Sequence, residues 1–110
     1  MLEAMAFGTP VIGTPFGGAE PFITPDAAWP IAYRLAELAD DYGPYPQGFV
    51  WADPDLGSLV TALRTVAADP NITHARAALA RDRVLTRFAS PAVTQACRDA
   101  LESAAAIIGL

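Results

Sequence analysis

The run LEAMAFGTPVIGTPFGG, residues 2–18, constrains this chain more than any other segment, because it sets a helix, a stop, a buried strand and a glycine loop in immediate succession. Residues 2–7 are helix formers. Gly8 can take the left-handed conformation that closes a helix, and Pro10 forbids its continuation. Val11 and Ile12 are β-prone and carry no polar alternation, the pattern of a strand covered on both faces of a parallel sheet. Such a unit belongs to a layered α/β sheet.

Past the loop at 14–18, residues 20–23 are expected to form a short helical turn and residues 28–33 a second strand. Residues 40–48 are rich in Asp, Pro, Gly and Tyr and read as a surface insert. Seven of the ten aromatic residues lie between Phe22 and Trp51, which points to a packed loop or to a stacking surface. Asp53 before Pro54 predicts a helix start. Leu56, Leu59, Val60, Leu63 and Val66 then make one apolar face. Asn71 is expected to cap a third helix with Ile72, Ala75, Leu79 and Phe88 inward and arginines outward. A fourth starts at Ser90-Pro91 and carries an apolar stripe of Val93, Cys97, Ala100, Leu101, Ala104, Ile107 and Ile108.

Charge narrows the partners. Residues 1–55 hold eight acids against Arg34 alone, whereas residues 56–110 hold six arginines against four acids. Nucleic acid is therefore not an expected partner, since a phosphate backbone needs clustered cations. The single cysteine, Cys97, excludes an internal disulfide and suits a reducing, cytoplasmic compartment. The start MLEAMAF lacks the basic region of a secretion signal, and the closing run 104–110 is too short to span a bilayer, so no transmembrane segment is expected. One histidine, His74, and no CxxC or DxD pattern leave no metal site to assemble. No P-loop or GxGxxG is present.

The motif residues resemble the donor-binding half of GT-B glycosyltransferases, most closely the retaining family 4 enzymes. Their signature runs E-x7-E and ends in EAMA-x-G-x-P-V-I, followed by a GG-x-x-E/D-F loop. Glu3, Ala4, Met5, Ala6, Gly8, Pro10, Val11 and Ile12 match the first part, and Gly17, Gly18 and Phe22 fit the loop. Trp29 to Leu35 and the run Trp51-Ala52-Asp53-Pro54-Asp55 resemble the W-x-x-PY-x-L insert and W-A-x-P-D helix start of some members. The first glutamate of the pair would stand ahead of Met1. The resemblance thus implies a fragment: one partial domain over 1–110, with an α/β motif region at 1–35, an insert loop at 36–52 and a helical region at 53–110. The fold it implies is α/β, a partial Rossmann-like layer followed by three C-terminal helices.

The same resemblance implies a parent enzyme that transfers a sugar from a nucleotide-sugar donor to an acceptor with retention and without a bound metal or other cofactor. Glu3 would accept hydrogen bonds from the two ribose hydroxyls, whose vicinal arrangement matches two carboxylate oxygens; otherwise it is a solvated acid at a helix end. Gly17 and Gly18 either let a ligand approach the backbone or form an ordinary tight turn. Thr14, at the carboxyl end of a parallel strand, either contacts the nucleotide or caps a turn. Glu20 is read as structural, and His74 and Cys97 as surface and packing residues. No catalytic residue is assigned, and the isolated chain is expected to be inactive. Helix 91–108 is expected to dock the missing N-terminal domain or a partner chain. The alternatives are a non-catalytic helical interaction module and a truncated remnant.

Overall fold

Helix α1, Leu2–Ala6, ends where the glycine stop was expected. In the computed structural model, which describes residues 1–109, Gly8 has φ +74°. The Gly8 amide donates to the Met5 carbonyl at 2.8 Å and the Thr9 amide to the Ala4 carbonyl at 2.9 Å. These two bonds satisfy carbonyls that a helix end otherwise leaves unpaired. The chain then enters β1, Ile12–Gly13, after which residues 17–19 make one 3-10 turn.

Strand β2, Trp29–Pro30, pairs parallel with β1, in the register Ile12 to Trp29 and Gly13 to Pro30. The expected strand over 28–33 is therefore split. Ala32 leaves the ladder because its amide donates to the Ser58 hydroxyl at 2.8 Å and its carbonyl accepts from the Asp55 amide at 2.8 Å. From there the chain forms β3, Tyr33–Glu37, and β4, Val50–Pro54, paired antiparallel. The insert expected as a loop over 36–52 is thus a hairpin whose strands lie partly outside those bounds. Its tip is a packed loop, in which Tyr42 and Tyr45 set their rings 5.9 Å and 6.2 Å from Trp51. Gly43 and Gly48 supply the positive φ angles its bends require.

Three helices follow, α2 at Leu56–Ala68, α3 at Pro70–Arg87 and α4 at Ser90–Ile108. The fourth helix starts at Ser90 as expected, whereas the caps of α2 and α3 differ from the expected ones. Asp55 caps α2, accepting from the Ser58 amide at 2.6 Å, because Asp53 is drawn into β4 opposite Arg34, its ion-pair partner at 2.6 Å. Asp69 caps α3, accepting from the amides of Asn71 and Ile72 at 3.0 Å each, with Pro70 in the first turn. Asn71 is therefore the second residue of the helix.

The core has two parts. Met5, Val11, Ile23, Ala27, Ala28, Ala80 and Val84 form one, between α1, the sheet and α3. Trp29, Ile31 and Ala62 form the other, with Ile12, Leu59 and Val66 packed against it from β1 and α2. The inward face of α3 is Thr73, Ala77, Ala80 and Val84, not the expected Ile72, Ala75 and Leu79, which are exposed; Phe88 is half-buried. Small side chains at 77 and 80 let α3 approach its neighbours closely. Thr73 is satisfied by donating its hydroxyl to the Val66 carbonyl at 2.9 Å.

Three arginines of α3 expected to face outward instead tie it to the rest. Arg76 lies 4.5 Å over the Trp29 ring and donates to the Ala28 carbonyl at 3.3 Å. Arg81 donates to the Ala6 carbonyl at the end of α1 at 3.2 Å. Arg83 makes a two-pronged pair with Asp26 and also donates to the Thr24 hydroxyl at 2.7 Å. The charged face and the core-facing edge of α3 are thus one surface, reached by long flexible side chains.

Helix α4 contrasts with the others, because none of its residues is buried. Val93, Leu101, Ile107 and Ile108 are all exposed, Ile107 by 84%. The described residues are therefore a mixed α/β arrangement of four α-helices, one parallel pair and one antiparallel pair of strands.

Candidate functional site

Glu3 stands in the first turn of α1 with its side chain 87% exposed. Met5 is buried on another face of the helix, and the sulfur of the more exposed Met1 lies 3.2 Å from where a Cβ on Gly13 would stand. The Met1 side chain thus reaches to the carboxyl end of β1. Glu3 itself is open to solvent. Its own backbone amide, then the amino group at Met1 3.5 Å away, hold its carboxyl below the usual carboxylate range.

Thr14 follows directly on β1 and is half-buried. Its carbonyl accepts from the Phe16 amide at 2.9 Å, while its hydroxyl has no hydrogen-bond partner among the described residues. The hydroxyl thus caps no turn there. Gly17 has φ +57°, which demands glycine for the turn alone. Gly18 has no positive φ, and a Cβ on it would meet nothing within 4 Å, so the fold makes no demand for glycine at that position. Thr14, Gly17 and Gly18 thus lie in one loop, half-buried at Thr14 and exposed at the glycines, and Glu3 lies on the separate helix α1.

Beside Glu3 runs a groove of about 340 Å³ that the sequence reading missed. Leu2 and Ala6 of α1 form one wall, and Val84, Leu85, Phe88 and Ala89 the other, with Ser90 at the end. Phe88 is held edge-on by Phe22 at 6.2 Å, and the Arg87 guanidinium lies 5.5 Å over its ring. The groove was not legible because it depends on which face α3 turns to α1. A larger cleft of about 710 Å³ lies at the base of the hairpin, lined by Tyr33, Arg34, Asp53 and Asp55 among others. Its charged groups are already engaged, Arg34 with Asp53 and Asp55 with the end of α2. Size alone does not make it the better site. It does adjoin the glycine loop, since Phe16 and Tyr33 set their rings 5.7 Å apart.

Among the described residues no group of three or more His, Cys, Asp or Glu gathers as metal ligands would, and no helix is long and apolar enough to cross a membrane. No protein-family model, no curated protein and no solved structure matches the chain.

Proposed function

We propose that this chain supplies part of the donor-nucleotide site of a retaining GT-B glycosyltransferase, most like family 4, with Glu3 binding the ribose hydroxyls of a nucleotide sugar. The residue pattern motivates the reading, and one observation supports it best. The amino end of α1, which carries Glu3, adjoins the carboxyl end of β1, where Thr14 opens the glycine loop. Ligands of open α/β sheets bind at that edge of the strands. In this reading β1 and β2 are part of a Rossmann-like layer, and Gly18 is glycine for close approach of the donor.

The ribose contact is chemically apt. An exposed, ionised carboxylate can accept two charge-assisted hydrogen bonds from a vicinal diol. Transfer itself depends on oriented donors and cations around the departing diphosphate. Arg34 is the only basic side chain in residues 1–55, and it is paired with Asp53. The diphosphate and the acceptor must therefore be held by other parts of such an enzyme. The site is read as working without a metal, in a cytoplasmic setting that suits the lone cysteine. Purified chain incubated with nucleotide sugars is expected to yield no transfer or hydrolysis product by mass spectrometry. Donor-dependent turnover would contradict this assignment.

A second reading is favoured by α4. A helix whose apolar stripe is wholly exposed is suited to docking the remaining domain of such an enzyme or a partner chain. On that reading alone, the chain is a non-catalytic interaction module. Leu101→Asp should abolish association with the docked partner, and unchanged complex formation would remove the idea.

A further inference from the structure

We propose that α4 pairs with α4 of a second copy of this chain, antiparallel about a two-fold axis that passes between Ala100 and Leu101. The inference rests on the docking reading of α4 and goes beyond it by naming the occupant; the donor-site reading of Glu3 has no part in it. The spacing of the apolar stripe carries it. Val93, Cys97, Ala100, Leu101, Ala104 and Ile108 stand four, three, one, three and four residues apart, steps that read the same from either end. A two-fold interface is one patch meeting itself, so it needs a patch that survives reversal. Turned about that axis, Val93 meets Ile108 of the second copy, Cys97 meets Ala104 of the second copy, and Ala100 meets Leu101 of the second copy. Ile107 falls at the height of a polar residue, Thr94, and is the one member of the stripe outside this symmetry.

Exposure, charge and area agree with this occupant. The six residues are all exposed, and no residue of α4 is buried. At about 100° per residue they occupy one arc of about 100°, while Arg98, Asp99 and Glu102, the charged residues of α4, lie on the other side of the helix. Pairing therefore desolvates no charge. Small side chains at Cys97, Ala100 and Ala104 let the two backbones approach and leave room for Leu101 of the other copy. A stable interface takes about 800 Å² from each partner, and the chain exposes about 1,700 Å² more than a compact monomer of its mass. The seam from Val93 to Ile108 is only about 22 Å long, which puts the affinity at the micromolar end of the range for interfaces. A partner of different sequence would impose no reversal symmetry on the stripe.

The test is sedimentation equilibrium of the chain over a concentration series, joined to a crosslinking comparison. The parent should pass from the 11.6 kDa monomer to twice that mass as concentration rises. Leu101→Asp should weaken the association at least about tenfold, with helix content unchanged by circular dichroism, because Leu101 is exposed in the single chain. Association also raises the melting temperature with concentration by mass action, so the effect of a substitution on the single chain is read in the dilute monomer. The direction of pairing is read from thiols. Antiparallel pairing holds the two copies of Cys97 about 10 Å apart along the seam, beyond the roughly 7 Å between Cα atoms that a disulfide spans. Under oxidised glutathione, Ala104→Cys should therefore form a covalent dimer at least about tenfold faster than the parent. A monomer at every concentration would overturn self-pairing and leave α4 to a chain of another kind. A dimer untouched by Leu101→Asp would overturn the seam. A parent that crosslinks through Cys97 as fast as Ala104→Cys would overturn the antiparallel register.

Discussion

At the scale of single residues, the glycines differ in what the fold requires of them. Gly8 is required by its φ of +74°, although a Cβ there would meet the Arg81 side chain only at an ordinary 3.7 Å. Gly8→Ala should therefore cost about 1–2 kcal/mol in a denaturant melt, through backbone conformation rather than collision. Gly18→Ala should change stability by less than about 0.5 kcal/mol, as for a surface substitution away from special geometry. On the proposed reading, its effect falls on donor affinity. The Asp26–Arg83 pair gives a pH signature. Hydrogen bonds from Arg83, then from Thr24, push the Asp26 carboxyl well below the usual carboxylate range, and Asp26 in turn raises Arg83. A lowered folded pKa stabilises above the unfolded value of about 3.9 and is lost as pH falls through the folded one. Asp26→Asn should thus lower the melting temperature at pH 7 within the small range of exposed pairs, and the difference from the parent should close in strong acid.

At the scale of elements, what could be read from sequence was local and what could not was tertiary. The stop at Gly8 and the strand beginning near Val11 are dictated by neighbouring residues, and both formed as expected. The caps were misassigned by small offsets because WADPD and DPN each offer two competent acceptors. Asp53 lost its capping role to a partner across the hairpin, Arg34, that no local pattern reveals. Likewise, the inward face of α3 follows from contact with α1, which selects Ala77 and Ala80 over the bulkier Ile72 and Leu79. The candidate site divides in the same way: Glu3, Thr14, Gly17 and Gly18 stand out as a motif, whereas the groove beside Glu3 emerges only after α3 is docked. Truncating either observed cap, Asp55→Ala or Asp69→Ala, should destabilise the chain by about 1 kcal/mol in a chemical melt. Asn71→Ala should cost less than either, since its side chain caps nothing.

At the scale of the whole molecule, the chain is more open than one of its size needs to be. Its radius of gyration is 17.7 Å, against about 13 Å for a compact domain of this length. Its accessible surface of 7581 Å² exceeds by about 1,700 Å² that of a compact monomer of its mass. Helix α4 and the β3–β4 hairpin account for this shape, since the one buries nothing and the other packs its aromatic rings on themselves. Leu101→Asp should leave the melting temperature unchanged, because Leu101 is 71% exposed and no described residue covers it. The central claim nonetheless concerns Glu3, and calorimetric titration with a nucleoside diphosphate and its 2′,3′-dideoxy analogue tests it most directly. The account expects the intact diol to bind about tenfold or more tightly than the analogue, as charge-assisted hydrogen bonds require, with the preference erased in Glu3→Gln. Equal affinity of the parent chain for both ligands would contradict it.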